Sequence, residues 1–219
     1  MLHATFGVPL WVELIAAGLG GLQGALFAAG YRDRRIDVFG VIAIGIGTSL
    51  GGSLLRDIVL NQPPVVIWSN SYLLVAAGGA LLGMALEHLF RRLNWVITGL
   101  DAVVIGLFGA IGTSKALALG VPPVGAVAVG VVSAVGGSVL RDVSLSLPIA
   151  FLQVGSLYAV AAGVGAMILV ALDASGVPIP VSGIVCVVAT TVIRLAAIRF
   201  RWTFPEQATL RRPRRSPAR

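Results

Sequence analysis

The segment Gly51–Asp57, with the sequence Gly-Gly-Ser-Leu-Leu-Arg-Asp, returns at residues 136–142 as Gly-Gly-Ser-Val-Leu-Arg-Asp, each time inside a long apolar stretch. The separation of 85 residues holds without a gap well beyond the motif, for example between Gly24 and Gly109. A fixed period over such a distance indicates an internal duplication. Any fold for this chain must therefore contain two copies of one structural unit.

The amino-acid composition indicates the environment in which this duplicated unit folds. Of the 219 residues, 57% are hydrophobic and only 11% are charged, and the mean hydropathy is +0.96. That leaves too little polar surface to cover a water-soluble globule, so a lipid bilayer is expected. Apolar runs of about twenty residues predict membrane helices, whereas a membrane barrel would show shorter, alternating segments.

We predict an all-α integral membrane protein with seven transmembrane helices, separated by charged residues, prolines or glycines. The predicted spans are Trp11–Gly30, Val38–Leu60, Tyr72–Phe90, Trp95–Leu117, Pro123–Leu145, Phe151–Leu172 and Val181–Ile198. They form one domain over residues 1–200, with three-helix repeats at about 11–90 and 95–172 and an extra helix at about 181–198. Residues 201–219 are predicted to be a basic, disordered cytoplasmic tail lying against anionic lipid.

The number of spans in each repeat determines how the two repeats are oriented. Because three is odd, the second repeat must enter the membrane in the opposite direction, which makes the repeat inverted. Arginines cluster at 32–35 and 91–92 on one predicted side, so the N-terminus is expected outside and the C-terminus in the cytoplasm. This places Arg56 near the outer face and Arg141 near the inner face.

Polar residues form one stripe along the second span and again along the fifth. The residues are Thr48, Ser49, Gly52, Ser53 and Arg56, and then Ser133, Gly137, Ser138 and Arg141. Paired glycines favour a bend or local unwinding, which would expose oxygen ligands to a passing solute. We predict that the stripes line a solute pathway. Close helix packing is the alternative role for the glycines.

Ionised side chains within the spans have to be explained, because each costs at least about 2.5–3.5 kcal/mol in a bilayer. These residues are Arg56, Asp57, Asp101, Arg141 and Asp142. Neighbouring Arg and Asp are not expected to face each other on a helix. The Arg and Asp of the repeated motifs are therefore either mouth residues of the pathway or partners in structural ion pairs between helices. Asp101 either feeds an inner vestibule or lies near a helix N-terminus. Gln23, in the glycine-rich first span, is a further polar candidate for the pathway.

The sequence contains no recognisable arrangement of catalytic residues. His, Cys and carboxylate residues do not cluster with the spacing of metal ligands, and no nucleophile accompanies a histidine base. We therefore expect no enzyme, no cofactor and no resident metal. A nucleic-acid partner is not expected either, since topology and lipid contact account for the arginines of the tail.

The chain resembles the bacterial branch of the trimeric intracellular cation (TRIC) channel family. The features that carry this resemblance are the paired motifs, Pro63-Pro64 after the first of them, the layout of three, three and one spans, and the chain length. The resemblance covers about residues 11–200. It implies a homotrimer in the bacterial inner membrane. Each protomer would have its own pore, lined by the first, second, fourth and fifth spans and kinked at the glycines. It also implies passive flux of K⁺ and Na⁺, which would bind only transiently.

The resemblance also assigns residues to the pathway. Carried over by motif, these are Gly51, Gly52, Ser53, Arg56 and Asp57, and Gly136, Gly137, Ser138, Arg141 and Asp142. The family shows three successive glycines where this chain has Gly-Gly-Ser, and the Lys-Glu-Val motif of animal members has no match here. A secondary transporter for an amino acid or similar zwitterion is the alternative function, because inverted repeats with bent helices serve alternating access equally well.

Overall fold

The computed structural model describes residues 8–30, 36–90, 94–152 and 157–203. Eight α-helices lie within these ranges: α1 (Leu10–Gly30), α2 (Val38–Val59), α3 (Val65–Trp68), α4 (Asn70–Phe90), α5 (Asn94–Ala118), α6 (Pro123–Ser144), α7 (Tyr158–Ala174) and α8 (Ile179–Arg199). Six of them, all except α3 and α7, are long and apolar enough to cross a membrane, and α7 is an apolar helix of 17 residues. The chain is an all-helical, multi-pass membrane protein, as predicted.

Helices α2 and α6 reproduce the duplication. Each has 22 residues, and each begins and ends 85 residues from the other. Their starts differ, because α2 begins after Asp37, whose carboxylate accepts a hydrogen bond from the Gly40 N–H at 2.7 Å. Helix α6 instead has Pro123 in its first turn, where proline lacks only an N–H that would be unpaired anyway.

The start of the sixth predicted span is wrong. Residues Ala150–Leu152 form a short 3₁₀ turn, and the helix begins only at Tyr158. The same place in the first half holds the four-residue helix α3, which was not predicted either. Both segments lie where the chain re-enters the bundle, and their apolar residues are indistinguishable by composition from a membrane span. The arginine clusters at 32–35 and 91–92, and the tail beyond residue 203, lie outside the described residues.

Glycines set the distance between α1 and α4. A Cβ atom on Gly79 would overlap the Gly18 carbonyl oxygen, and one on Gly83 would overlap the Leu22 carbonyl oxygen. Residue numbers rise together along both helices, so α1 and α4 run parallel. Small residues permit this close approach of backbones, which a membrane helix pair needs because lipid supplies no hydrophobic drive for association.

Candidate functional site

Helices α2 and α6 cross at the repeated glycine pairs. A Cβ atom on Gly52 would overlap the Ser133 carbonyl oxygen, and one on Gly137 would overlap the Thr48 carbonyl oxygen. At the flanks of the crossing, Gly51 faces Leu140 and Gly136 faces Leu55. Residue numbers rise along α2 as they fall along α6, so the two helices are antiparallel. Their C-terminal ends, with the Arg-Asp pairs, therefore lie at opposite ends of the crossing.

The glycine pairs do not interrupt either helix. Helix α2 continues through Gly51-Gly52 and α6 through Gly136-Gly137 as unbroken α-helices. The local unwinding predicted from the sequence is therefore not seen. The reason is that a close neighbouring backbone occupies the space that the missing side chains leave, so the glycines bring two intact helices together.

The first Arg-Asp pair closes the turn after α2. One carboxylate oxygen of Asp57, Oδ1, accepts hydrogen bonds from Arg56 Nε at 2.8 Å and from Lys115 Nζ at 2.9 Å. The other, Oδ2, accepts one from the Val65 N–H at 3.1 Å, and the Gln62 N–H donates to the Asp57 carbonyl at 2.8 Å. Arg56 is 1% exposed and Asp57 is fully buried. This carboxylate thus joins the end of α2, the following turn and α5.

The second pair repeats the turn after α6. Asp142 Oδ1 accepts hydrogen bonds from Arg141 Nε at 2.9 Å and Nη2 at 2.8 Å. Its Oδ2 accepts one from the Ala150 N–H at 2.9 Å, and the Leu147 N–H donates to the Asp142 carbonyl at 2.7 Å. The Arg141 guanidinium lies 4.0 Å from the centre of the Phe27 ring, whereas the first Arg-Asp pair has Lys115 of α5 as an additional cation.

Both pairs contradict the expectation that adjacent Arg and Asp do not face each other. Each arginine lies in the last turn of its helix, where its long side chain turns back along the surface and reaches the neighbouring carboxylate. The aspartates are also buried and accept a backbone N–H from the chain that follows. These contacts favour structural ion pairs over carboxylates in a water-filled mouth.

A third polar cluster surrounds Asp101 on α5. Asp101 Oδ1 accepts hydrogen bonds from Gln23 Nε2 and from the Tyr158 hydroxyl, both at 2.5 Å. Arg194 Nη2 lies 3.8 Å from Asp101 Oδ2, and the Arg194 guanidinium lies 4.5 Å from the centre of the Tyr158 ring. Helix α8, which has no counterpart in the duplication, thus contributes a positive charge to a cluster built by α1, α5 and α7.

Two small cavities lie beside the α2–α6 crossing, each with a volume of about 10 Å³. The first, here called the Glu13 cavity, is lined by Glu13, Ser53, Arg56, Tyr72 and Phe108 among others. The second, the Gln23 cavity, is lined among others by Gln23, Thr48, Ser133, Ser138, Tyr158 and Phe108. Each has room for about one water molecule. The polar side chains that line them therefore belong to two separate small cavities among the described residues.

The predicted residues divide among three environments. Those that line a cavity are Gln23, Thr48, Gly52, Ser53, Arg56, Ser133, Gly137 and Ser138. Ser49 donates a hydrogen bond to the Ala17 carbonyl at 2.6 Å, and Gly51 and Gly136 lie against leucines, so these three serve contacts between helices. Asp57, Arg141 and Asp142 close buried turns, and Asp101 bonds two side chains that line the Gln23 cavity.

Several residues of these cavities and of the Asp101 cluster were not predicted. Glu13 accepts a hydrogen bond from the Tyr72 hydroxyl, and Arg194 reaches Asp101. Both were detectable in principle, because an ionisable residue inside an apolar span is by default a functional candidate. Phe108 and Tyr158 carry no such signal, since aromatic residues are ordinary in membrane helices.

The family model described as "Glycine transporter" matches the chain twice, over residues 10–88 and 98–174. The chain belongs to this glycine transporter family. The two matches fall on the two halves of the duplication. Among the relatives of this family member is the UPF0126 inner membrane protein YadS of Escherichia coli K12. It is 33% identical over 198 residues, which cover 89% of this chain and 94% of the relative.

Solved structures share the fold of this glycine transporter family member. The TRIC trimeric intracellular cation channel orthologue from Rhodobacter sphaeroides superposes with a TM-score of 0.80 at 29% identity, covering 88% of this chain and 98% of the channel. A second TRIC cation channel superposes with a TM-score of 0.78 at 26% identity, covering 90% and 96%. The resemblance to bacterial TRIC channels is confirmed.

Proposed function

We propose that this protein is a monovalent cation channel whose pathway runs inside one protomer through the Glu13 and Gln23 cavities. The observation that carries the proposal is the position of these two polar cavities beside the α2–α6 crossing, in a fold shared with TRIC cation channels. Hydroxyl groups of Thr48, Ser133 and Ser138, with a carboxylate near each cavity, offer oxygen ligands of low charge density. Such a lining suits K⁺ or Na⁺ ions that bind weakly and leave again.

The assembly and topology belong to the same proposal. The antiparallel α2–α6 crossing supports two inverted three-helix repeats, and in this proposal the 17-residue apolar helix α7 is a seventh span beside the six long ones. A homotrimer in a bacterial inner membrane is supported by the relatives, one of which is a trimeric channel and another an inner membrane protein. These solved relatives are channels, which agrees with the expectation that the protein is not an enzyme.

Cysteine labelling tests the proposed topology. A cysteine at Gln62 is expected to react with a membrane-impermeant reagent added outside, and one at Arg92 with reagent added on the cytoplasmic side. The native Cys186 is fully buried and serves as a silent background. Labelling of both positions from one side would rule out the inverted repeat.

A transporter of a small zwitterion is the second candidate, and two observations favour it. The family model is described as a glycine transporter. The Glu13 cavity also holds opposite charges, because Glu13 lines it together with Arg56, whose buried Nη2 has no hydrogen-bond partner among the described residues. A carboxylate for an ammonium group and a guanidinium for a carboxylate group are what a zwitterion requires. In this conformation the cavity is too small for an amino acid, so the second candidate also needs an opening motion.

Recording from the purified protein in planar bilayers separates the two functions. We expect unitary currents in KCl and in NaCl, and no accumulation of labelled glycine in proteoliposomes beyond that of protein-free liposomes. Saturable glycine uptake without unitary currents would favour the transporter. Arg56→Gln is the discriminating variant, because Asp57 keeps Lys115 as a partner. The variant should abolish glycine uptake only if the transporter function is correct.

A further inference from the structure

Phe108 is the side chain that the two cavities share. Among the described residues that line either cavity, it alone lines both. It lies on α5 with 6% of its surface exposed, and it packs in an apolar cluster with Ala16, Val104 and Ile111. The phenyl ring therefore forms part of the wall of both cavities.

The ring fills the place where three helices meet. A Cβ atom on Gly20 of α1 would lie 3.3 Å from Phe108 Cε2 and 3.0 Å from Ser49 Cα on α2. The glycine thus leaves room for the phenyl ring between α1, α2 and α5. The space that an ion would need between the cavities is occupied by this ring.

Polar side chains line both cavities, but the Phe108 ring that the cavities share is apolar. On one side lie Glu13 and Arg56, and on the other lie Gln23 and Ser133, whereas the ring offers no group that replaces the hydration of an ion. Apolar constrictions of this kind close a pathway because water leaves them. The duplication pairs Phe108 with Gln23, so the first repeat carries an amide where the second carries a phenyl ring.

We propose that Phe108 is the closed gate of the pathway, and that its ring must leave the space between the cavities for a solute to pass. The proposal rests on the proposed function for the nature of the solute. Whether the two cavities become connected can nevertheless be measured without any ion current.

The first test measures K⁺ efflux in variants in which the Phe108 ring is replaced. Phe108→Ala removes it, and Phe108→Gln installs the residue that the other repeat already has. We expect K⁺ efflux from proteoliposomes to rise by about tenfold in both variants, which corresponds to lowering a barrier by about 1.4 kcal/mol. Phe108→Leu keeps an apolar plug and should stay near the wild-type rate. Phe39→Ala is the matched control, because Phe39 on α2 is 79% exposed.

An accessibility test is independent of ion conduction. A cysteine at Ser138, in the Gln23 cavity, should react with an impermeant thiol reagent added on the Glu13 side about tenfold faster when Phe108 is Ala or Gln. Elution at the wild-type volume in size-exclusion chromatography verifies that the variants are folded. Unchanged labelling rates in both folded variants would overturn the gate, whatever the currents show. Faster labelling without currents in any of the proteins would keep the gate and overturn the channel function.

Discussion

Gly137→Ala is expected to destabilise the folded protein by about 1–3 kcal/mol, the usual cost of an additional group in a tightly packed contact. Its Cβ would overlap the Thr48 carbonyl oxygen, which belongs to the backbone of α2 and cannot rotate away. The two helices would have to separate at their crossing. Gly52→Ala should behave similarly, because its Cβ would meet the Ser133 carbonyl oxygen. The measurement is the midpoint of thermal unfolding in detergent, followed by size-exclusion chromatography.

Gly47→Ala is the matched control on α2, the helix that contains Gly52. A Cβ atom at Gly47 would meet nothing within 4 Å, and the same is true of Gly99 on α5. Alanine has the higher helix propensity, so these variants should unfold at the wild-type temperature or slightly above it. An equal loss at Gly47 and Gly137 would contradict the packing role. Reduced ion flux with unchanged stability in Gly137→Ala would instead support the glycines as lining of the pathway.

Asp57→Asn is expected to have the larger effect, a loss of about 3–5 kcal/mol, because it removes the buried carboxylate charge to which two buried cations donate. Arg56 and Lys115 both donate to this carboxylate, whereas Arg141 is the one cation bonded to Asp142 within the described part of the chain. Asp57→Asn should therefore cost more than Asp142→Asn. The yield of folded protein and its unfolding midpoint measure the difference.

Two further variants control this prediction. Asp173→Asn changes a carboxylate that forms no ion pair within the described residues, and its effect should remain within about 0.5 kcal/mol. Adding Lys115→Met to Asp57→Asn removes one of the two cations that bonded the carboxylate and should recover part of the loss. Stable single variants with cation currents that fall at low salt and recover at high salt would favour the mouth assignment, because salt screens a solvated charge.

Much of the helical framework could be predicted from the sequence. The span predicted over Val38–Leu60 is helix α2 at Val38–Val59, and the span predicted over Pro123–Leu145 is helix α6 at Pro123–Ser144. The length of an apolar run and the positions of helix-breaking residues are local properties of the sequence. A bilayer-spanning helix can therefore be predicted from its own residues. The duplication is equally visible, because it requires only a comparison of the chain with itself.

The start of α7 could not be predicted from the local sequence. Residues Ala150–Leu152 are apolar and follow Pro148, and nothing in their composition separates a re-entering turn from the first turn of a span. What holds this segment is the carboxylate of Asp142, which accepts the Ala150 N–H from eight residues away. The sequence could identify Asp142 as a buried charge that needs a partner, but it could not identify the partner.

The sequence by itself determined the membrane environment, the position and length of most spans, the duplication and the positions of the buried charges. The tertiary structure decided that the glycines join α2 and α6 without unwinding them, that Asp57 bonds Lys115, and that Phe108 lines both small cavities. The physical reason is that each outcome depends on the atoms that a neighbouring helix places opposite a residue. Those atoms come from distant parts of the chain and are set by how antiparallel helices cross.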